Sequence, residues 1–339
     1  MKSLYNSFRA SIAARLRMHF RDKEHSEDIA YAMVQMLKLP LQQARDLARA
    51  GATQRRQITK LPQVKNPGRA LATLRSLSVP LDVAGTLRTV DAHAGNSYLL
   101  ALPFSVSAMS LIAHLVRDTR RSFCVIDTQF TRYYFYPFLK ATETRDRLQL
   151  LPPAAMLKHN RMRLEQPAAA DNPVTYVTFP DLESTSLDTA RRVRFMGEDY
   201  QFSTLEPLLF FRGLAPLFTF DAGDFAATRR LKLAAYESSS VSAVTEADVD
   251  ALLAWLAKNM EQVFREAPAD VLSWAETRML AYGTKAITAV VKLKMVEGYV
   301  RAWKAADPNF KDATFARSIA ELQKVQETID KERLAASGS

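Results

Sequence analysis

The chain has 339 residues, 48% of them hydrophobic and 24% charged, and a formal net charge of +10. These figures fit one large α/β domain or two smaller ones, and they exclude wholesale disorder, a fibrous repeat and a polytopic membrane protein. Residues 1–80 hold 15 Lys and Arg against 5 Asp and Glu, so the rest of the chain is neutral as a group and attraction to an anionic partner belongs to the N-terminal quarter.

Residues 2–23 read as a helix, because Tyr5, Phe8, Ile12, Leu16 and Phe20 recur at helical spacing and form one apolar stripe. Lys2, Arg15, Arg17, Arg21 and Lys23 flank that stripe, the pattern of a helix lying on an anionic membrane surface. Arg9 falls inside the apolar arc, and a helix packed on its own domain with a solvated basic flank has the same pattern. Arginines interrupt every window that would make a signal peptide, and no run approaches the ~20 apolar residues of a membrane span. Helices are expected at 26–39 and 41–50, stopped by Pro40 and Gly51, then a basic linker over 51–68 and a helix over 69–77.

From residue 81, short apolar runs alternate with amphipathic segments. Strands are expected at 97–102, 122–127, 148–151, 174–179, 192–196, 214–220 and 230–235, with helices at 105–117, 130–140 and 203–211. Connections of this length fit crossover helices over a mainly parallel sheet. After Thr245 the pattern is purely helical, with helices expected at 246–266, 269–283, 284–305 and 311–335. The expected organisation is a basic helical region, 1–80, an α/β core with a mainly parallel mixed sheet, 81–245, and a C-terminal helical region, 246–335. The single cysteine, Cys124, lies in an apolar run and reads as core; a lone cysteine rules out an intramolecular disulfide and fits a reducing compartment.

Three segments then resemble the lipid A late acyltransferase family, the LpxL-like branch of the lysophospholipid acyltransferases. The C-terminal segment carries a helix followed by Pro268, Trp274 and Arg278 at the family's spacing. The middle segment runs from Phe179-Pro180-Asp181 through a polar loop to Phe195-Met196-Gly197, a Ser203-Thr204 helix start and Gly213-Leu214-Ala215-Pro216. It is similar to the family's acidic loop, aromatic-Gly turn, Thr-containing helix start and Gly-x-x-Pro strand. The resemblance covers about 95–280 and implies an acyltransferase-like core. It implies Asp181, Glu183, Gly197 and Thr204 as substrate-binding positions; the family's Arg is missing at the matching place, and Arg191, Arg192 and Arg194 nearby read either as the phosphate contact, with Arg192 and Arg194 as substrate-binding positions, or as one solvated strand edge.

The third segment departs from the family. There, a His after the first core strand takes the acceptor hydroxyl's proton, and an acid five residues on holds the ring. Aligning Ser97-Tyr98-Leu99-Leu100-Ala101-Leu102 on that strand puts Pro103 at the His position and Ala108 at the acid. Neither transfers protons. His114, with Asp118 one helical turn on, and His93 are the nearest substitutes, although a plain surface helix pair is the favoured reading of the first two. His159, among Lys158, Arg161 and Arg163, reads as part of a basic loop.

No phosphate-loop, dinucleotide-binding or hydrolase-elbow string is present, and the five histidines lack metal-ligand spacing. Arg132-Tyr133-Tyr134-Phe135-Tyr136 mixes base-stacking and basic residues, but its place after a core strand favours an apolar helix face over a nucleic-acid site. Two functions are expected. One is transfer of a fatty acyl chain from acyl carrier protein or acyl-CoA, as co-substrate and with no further cofactor, to a glycolipid or lipid-linked saccharide at the cytoplasmic membrane surface. The other is a catalytically inactive homologue acting as a lipid- or partner-binding subunit. Either docks as a peripheral protein on anionic lipid through residues 1–23, with acyl carrier protein as a further partner and no nucleic acid.

Overall fold

The computed structural model describes residues 22–274 apart from 62–63, 65, 94–96, 120, 129–130, 132–133, 136–145, 166–172, 183–189, 214–215 and 237–243, together with 320, 323, 324 and 327. The chain divides into two units, Met1–Thr277 and Arg278–Ser339; in the second, the four described residues are helical and exposed. The helix expected over 2–23 and those over 284–305 and 311–335 therefore lie outside the described residues or almost wholly so, as does most of the helix expected over 130–140.

The first unit is an α/β fold. Its sheet has six strands, β1 (Tyr98–Ala101), β2 (Ser122–Ile126), β3 (Leu148–Leu151), β4 (Val174–Thr178), β7 (Leu217–Asp221) and β8 (Lys232–Ala235), in the order β3-β2-β4-β1-β7-β8. The first five in that order run parallel, and β8 is antiparallel to β7. β1, β2, β4 and β7 are almost wholly buried, which is why they read in the sequence as short continuous apolar runs. β5 (Arg191–Phe195) and β6 (Glu198–Phe202) form a separate hairpin. Met196 and Gly197, with φ of 54° and 82°, are both left-handed, the two-residue turn that suits the twist of a hairpin. Alternation puts Val193, Phe195, Tyr200 and Phe202 inward, where Phe195 meets Phe264 edge to face.

Helices α1 (Asp22–Leu37), α2 (Leu41–Ala50), α3 (Ala52–Lys60) and α4 (Pro67–Arg75) precede the sheet. Helix α3 occupies what the sequence suggested was a linker. It is anchored by Arg55, whose guanidinium donates to the Ala48 and Ala269 carbonyls and whose pKa burial lowers to about 10. Helix α5 (Val83–Asp91), capped by Asp82, leads into β1, and α6 (Val106–Asp118), capped by Ser105, joins β1 to β2. Helix α7 (Pro153–Glu165) joins β3 to β4, and α8 (Leu205–Gly213) precedes β7. The short α9 (Phe225–Thr228) precedes β8, and α10 (Glu246–Glu266), opened by a Thr245/Asp248 capping box, packs on β5 and β7. Residues 269–273, expected as the start of a helix, are instead a turn and an extended bridge in which Val271 pairs with Ser105. The pairing follows from Pro268, which lacks an N–H, and from the needs of the β1–α6 turn it lies against.

Gly51 forms the corner between α2 and α3 and lies against the same Ala269 carbonyl: a Cβ there would sit 2.2 Å from that oxygen. Gly51→Ala should cost about 1–3 kcal/mol, since overpacked sites force backbone shifts. Thermal unfolding of the variant is expected to show a loss of several degrees.

Candidate functional site

In a parallel sheet, ligand crevices open at the C-terminal ends of strands whose onward connections run in opposite directions. Here β1 connects through α6 toward the β3 edge, and β4 connects through the hairpin and α8 toward β7, so the switch point lies between the ends of β1 and β4. Right-handed crossovers running in opposite senses put α6 on one face and α7 with α8 on the other. The register agrees: Cys124, Tyr176 and Thr178 share a face by alternation, and His159 of α7 lies 3.8 Å from Cys124 Sγ and 3.0 Å from the Tyr176 hydroxyl.

The switch point is filled by the chain itself. Pro103, Phe104 and Ala108 are buried, and the Phe104 ring meets Phe179 and Tyr134 edge to face at 5.1 Å and 5.3 Å. Asp181 follows β4 and is fully buried. Both of its oxygens accept from the Phe104 N–H, at 3.0 and 2.8 Å, and it also accepts from the Ser273 hydroxyl. Beside it, segment 267–274 runs along residues 104–106: Val106 N–H donates to the Asp270 carbonyl and Leu272 N–H to the Phe104 carbonyl. The Asp270 carboxylate accepts from the Ser107 N–H at 3.1 Å, at the first turn of α6, where the helix dipole favours negative charge. Trp274, fully buried, donates its indole N–H to the Pro268 carbonyl at 3.0 Å. Pro268 and Trp274 thus hold the lining of the crevice in place.

Three buried carboxyls line this end of the sheet. Burial pushes Asp181 up to about 6, against the opposing pull of the Ser273 hydroxyl and the Phe104 N–H. Burial pushes Asp270 up to about 7 and Glu206, in the first turn of α8, to about 7. The Thr178 hydroxyl lies near enough to lower the Glu206 value, yet Glu206 Oε2 and Thr178 Oγ1 have no partner in hydrogen-bond geometry among the described residues. Among the described residues no three His, Cys, Asp or Glu gather as metal ligands.

The residues singled out by the sequence are spread across the fold. His114 stands eight residues into α6, about 12 Å of helix rise from the Val106 end that borders the crevice. Its Nδ1 lies 3.6 Å from Asp118 and 3.4 Å from Arg75 Nε, so the His114/Asp118 pair exists and faces α4. His93 precedes β1, so it lies at the opposite end of that strand; its Nδ1 is 2.9 Å from the Thr89 carbonyl and its ring rests on Phe218. Arg192 and Arg194 are exposed on β5, and Arg194 pairs with Asp199 across the hairpin. Gly197 serves the hairpin turn, whose Met196 N–H donates to Glu261 of α10 at 2.8 Å. Thr204 opens α8 through its carbonyl, which accepts from the Leu208 N–H. Glu183 lies outside the described residues. Of the set, Asp181 alone is in the crevice. His159 is on α7, not in a loop, and Cys124 is core, its thiol pushed up to about 12 by burial.

The sequence reading passed over Asp270, Ser273 and Glu206. The signal was there: each is a polar residue set inside an apolar run, in Pro268-Ala269-Asp270-Val271-Leu272-Ser273-Trp274 and Leu205-Glu206-Pro207-Leu208-Leu209. No protein-family model matches the chain, and no curated protein matches it.

The buried carboxyls make stability depend on pH in an unusual direction. Glu206 has a folded pKa near 7 against about 4.5 unfolded, so the native state keeps its proton longer. The contribution is complete below the unfolded value and is lost as pH rises from about 4.5 to 7. In chemical denaturation, Glu206→Gln is expected to remove about 3 kcal/mol of the decline that the wild type shows across that window.

Proposed function

We propose that this chain is a non-catalytic protein with an acyltransferase-like core that binds anionic lipid as a peripheral subunit. The observation that carries the reading is the packing after β1: buried Pro103 and Ala108 stand where the acyltransferases it resembles place the proton-transferring His and its acid. The nearest carboxylate, Asp181, is engaged by Phe104 and Ser273. General-base catalysis needs a basic group within hydrogen-bond reach of the acceptor hydroxyl, and the proposed substitutes, His114 and His93, stand away from the crevice. Acyl transfer with one of those two as base is the competing reading.

The lipid half of the proposal rests on charge. The basic excess is confined to residues 1–80, and the core that follows is neutral, so the attraction to anionic headgroups is local. No helix among the described residues is long and apolar enough to cross a membrane. Docking on the cytoplasmic face of the membrane is part of the proposal.

Purified protein incubated with acyl carrier protein thioesters or acyl-CoA and a glycolipid acceptor is expected to give no turnover. Salt-sensitive binding to anionic vesicles should persist and should fall on deletion of residues 1–23. Turnover that His114→Ala or His93→Ala abolishes would overturn the non-catalytic reading, and vesicle binding unchanged by the deletion would overturn the role given to the first helix.

A further inference from the structure

Several surface cations of the neutral region are neutralised within it. Arg161 pairs with Glu165, Arg191 with Glu246, Arg194 with Asp199, Lys232 with Asp224 and Arg265 with Glu261. The basic quarter differs at one place. Between the end of α3 and the start of α4 lies an open groove of about 520 Å³, within the size range of small-molecule sites. Lys60 and Arg69 line it from opposite helices, both exposed, and neither makes an ion pair with a described carboxylate. Among the described residues no acidic side chain lines it.

The other lining groups fit the same kind of ligand. Leu61 is buried and Val64 half-buried, so the groove has an apolar floor, while Asn66 and Thr73 supply polar rim atoms. Asn66 caps α4, its Oδ1 accepting from the Arg69 N–H, so the positive end of that helix adds to the two cations. Two unpaired cations over an apolar floor match a phosphodiester attached to the first carbons of an acyl chain, and a bare inorganic ion would use only half of the lining.

We infer that the α3–α4 groove is a headgroup site for an anionic glycerophospholipid. The inference rests on the membrane reading proposed above and adds a defined lipid contact beyond residues 1–23. It also gives the docked protein an orientation. Helices α3 and α4 pack against α6, on the face of the sheet opposite α7, so a lipid seated in the groove holds α7 away from the membrane. Helix α7 presents the other surface with lipid-like chemistry, exposed Met162 and Leu164 beside Lys158 and Arg161, and both surfaces cannot lie on one flat bilayer.

The test compares the full chain, Lys60→Gln/Arg69→Gln and the charge-matched control Lys158→Gln/Arg161→Gln for binding to vesicles of phosphatidylglycerol mixed with phosphatidylcholine. All four side chains are exposed, and circular dichroism of each variant checks the fold. Each cation at an anionic surface is worth about fivefold, so the groove variant should bind about thirtyfold more weakly at low salt, and the control should lose much less. Glycerol 1-phosphate, followed by chemical-shift titration, should bind the wild type saturably and the groove variant not at all. Equal losses in both variants, or a larger loss in the control, overturn the groove site while leaving membrane docking intact. Saturable glycerol phosphate binding without vesicle binding overturns the lipid as its source and the membrane reading together. Failure of both probes with the wild type overturns the site outright.

Discussion

The fold turns on two buried carboxylates that satisfy the backbone where β1 becomes α6. A strand ending at the sheet's edge and a helix beginning beside it leave N–H groups without partners, and burial makes each of them costly. Asp181 takes the Phe104 N–H and Asp270 takes the Ser107 N–H. One comes from the loop after β4 and the other from the segment after α10, so three distant parts of the chain are fastened at one point. The carboxyls are held at raised pKa values because burial disfavours their charge, and their hydrogen bonds recover part of that cost.

The same fastening decides what the crevice is able to do. A catalytic carboxylate has to keep a lone pair for an imidazole or a substrate, and here both Asp181 oxygens meet the Phe104 N–H while Ser273 takes one of them again. The space a substrate would enter holds the Phe104, Phe179 and Tyr134 rings at edge-to-face distances, an arrangement stabilised by contact area and ring quadrupoles together. Opening the crevice would separate that cluster and free the segment that Trp274 anchors. Among the described residues Glu206 keeps an unengaged oxygen, but it is turned into the interior beside Thr178.

The sheet was legible because its four inner strands, β1, β2, β4 and β7, are buried on both sides and written as apolar runs; the alternating pattern also placed α6, α8 and α10 within a few residues. Helix α3 was not legible. Its buried face is Arg55, Ile58 and Leu61, and an arginine in a core register reads as solvent until its carbonyl partners on Ala48 and Ala269 are known. Helix α7 was missed for a related reason: its buried positions, Pro153, Met156 and Asn160, are too few and too mixed to make a stripe. Strand β6 buries only Tyr200 and Phe202, and the left-handed Met196-Gly197 pair that pairs it with β5 includes a methionine, a residue that rarely adopts that conformation. In the candidate site, Asp181 was found through its motif, whereas Asp270 was hidden because Pro268 to Trp274 resembles the start of a helix when its long-range partners are unseen.

The distribution of charge follows from the same architecture. A core closed by internal hydrogen bonds engages the Asp181 and Asp270 carboxyls at its switch point, and several surface cations around it are answered by neighbouring acids. Helices α2 to α4 have few acids to answer theirs: residues 41–80 contain one, Asp46, and it pairs with Arg49. Lys60 and Arg69 are left facing solvent across a cleft whose walls are held by Arg55 and by the α4 cap. The neutral core therefore acts as the platform on which the basic helices α3 and α4 are packed, through α6.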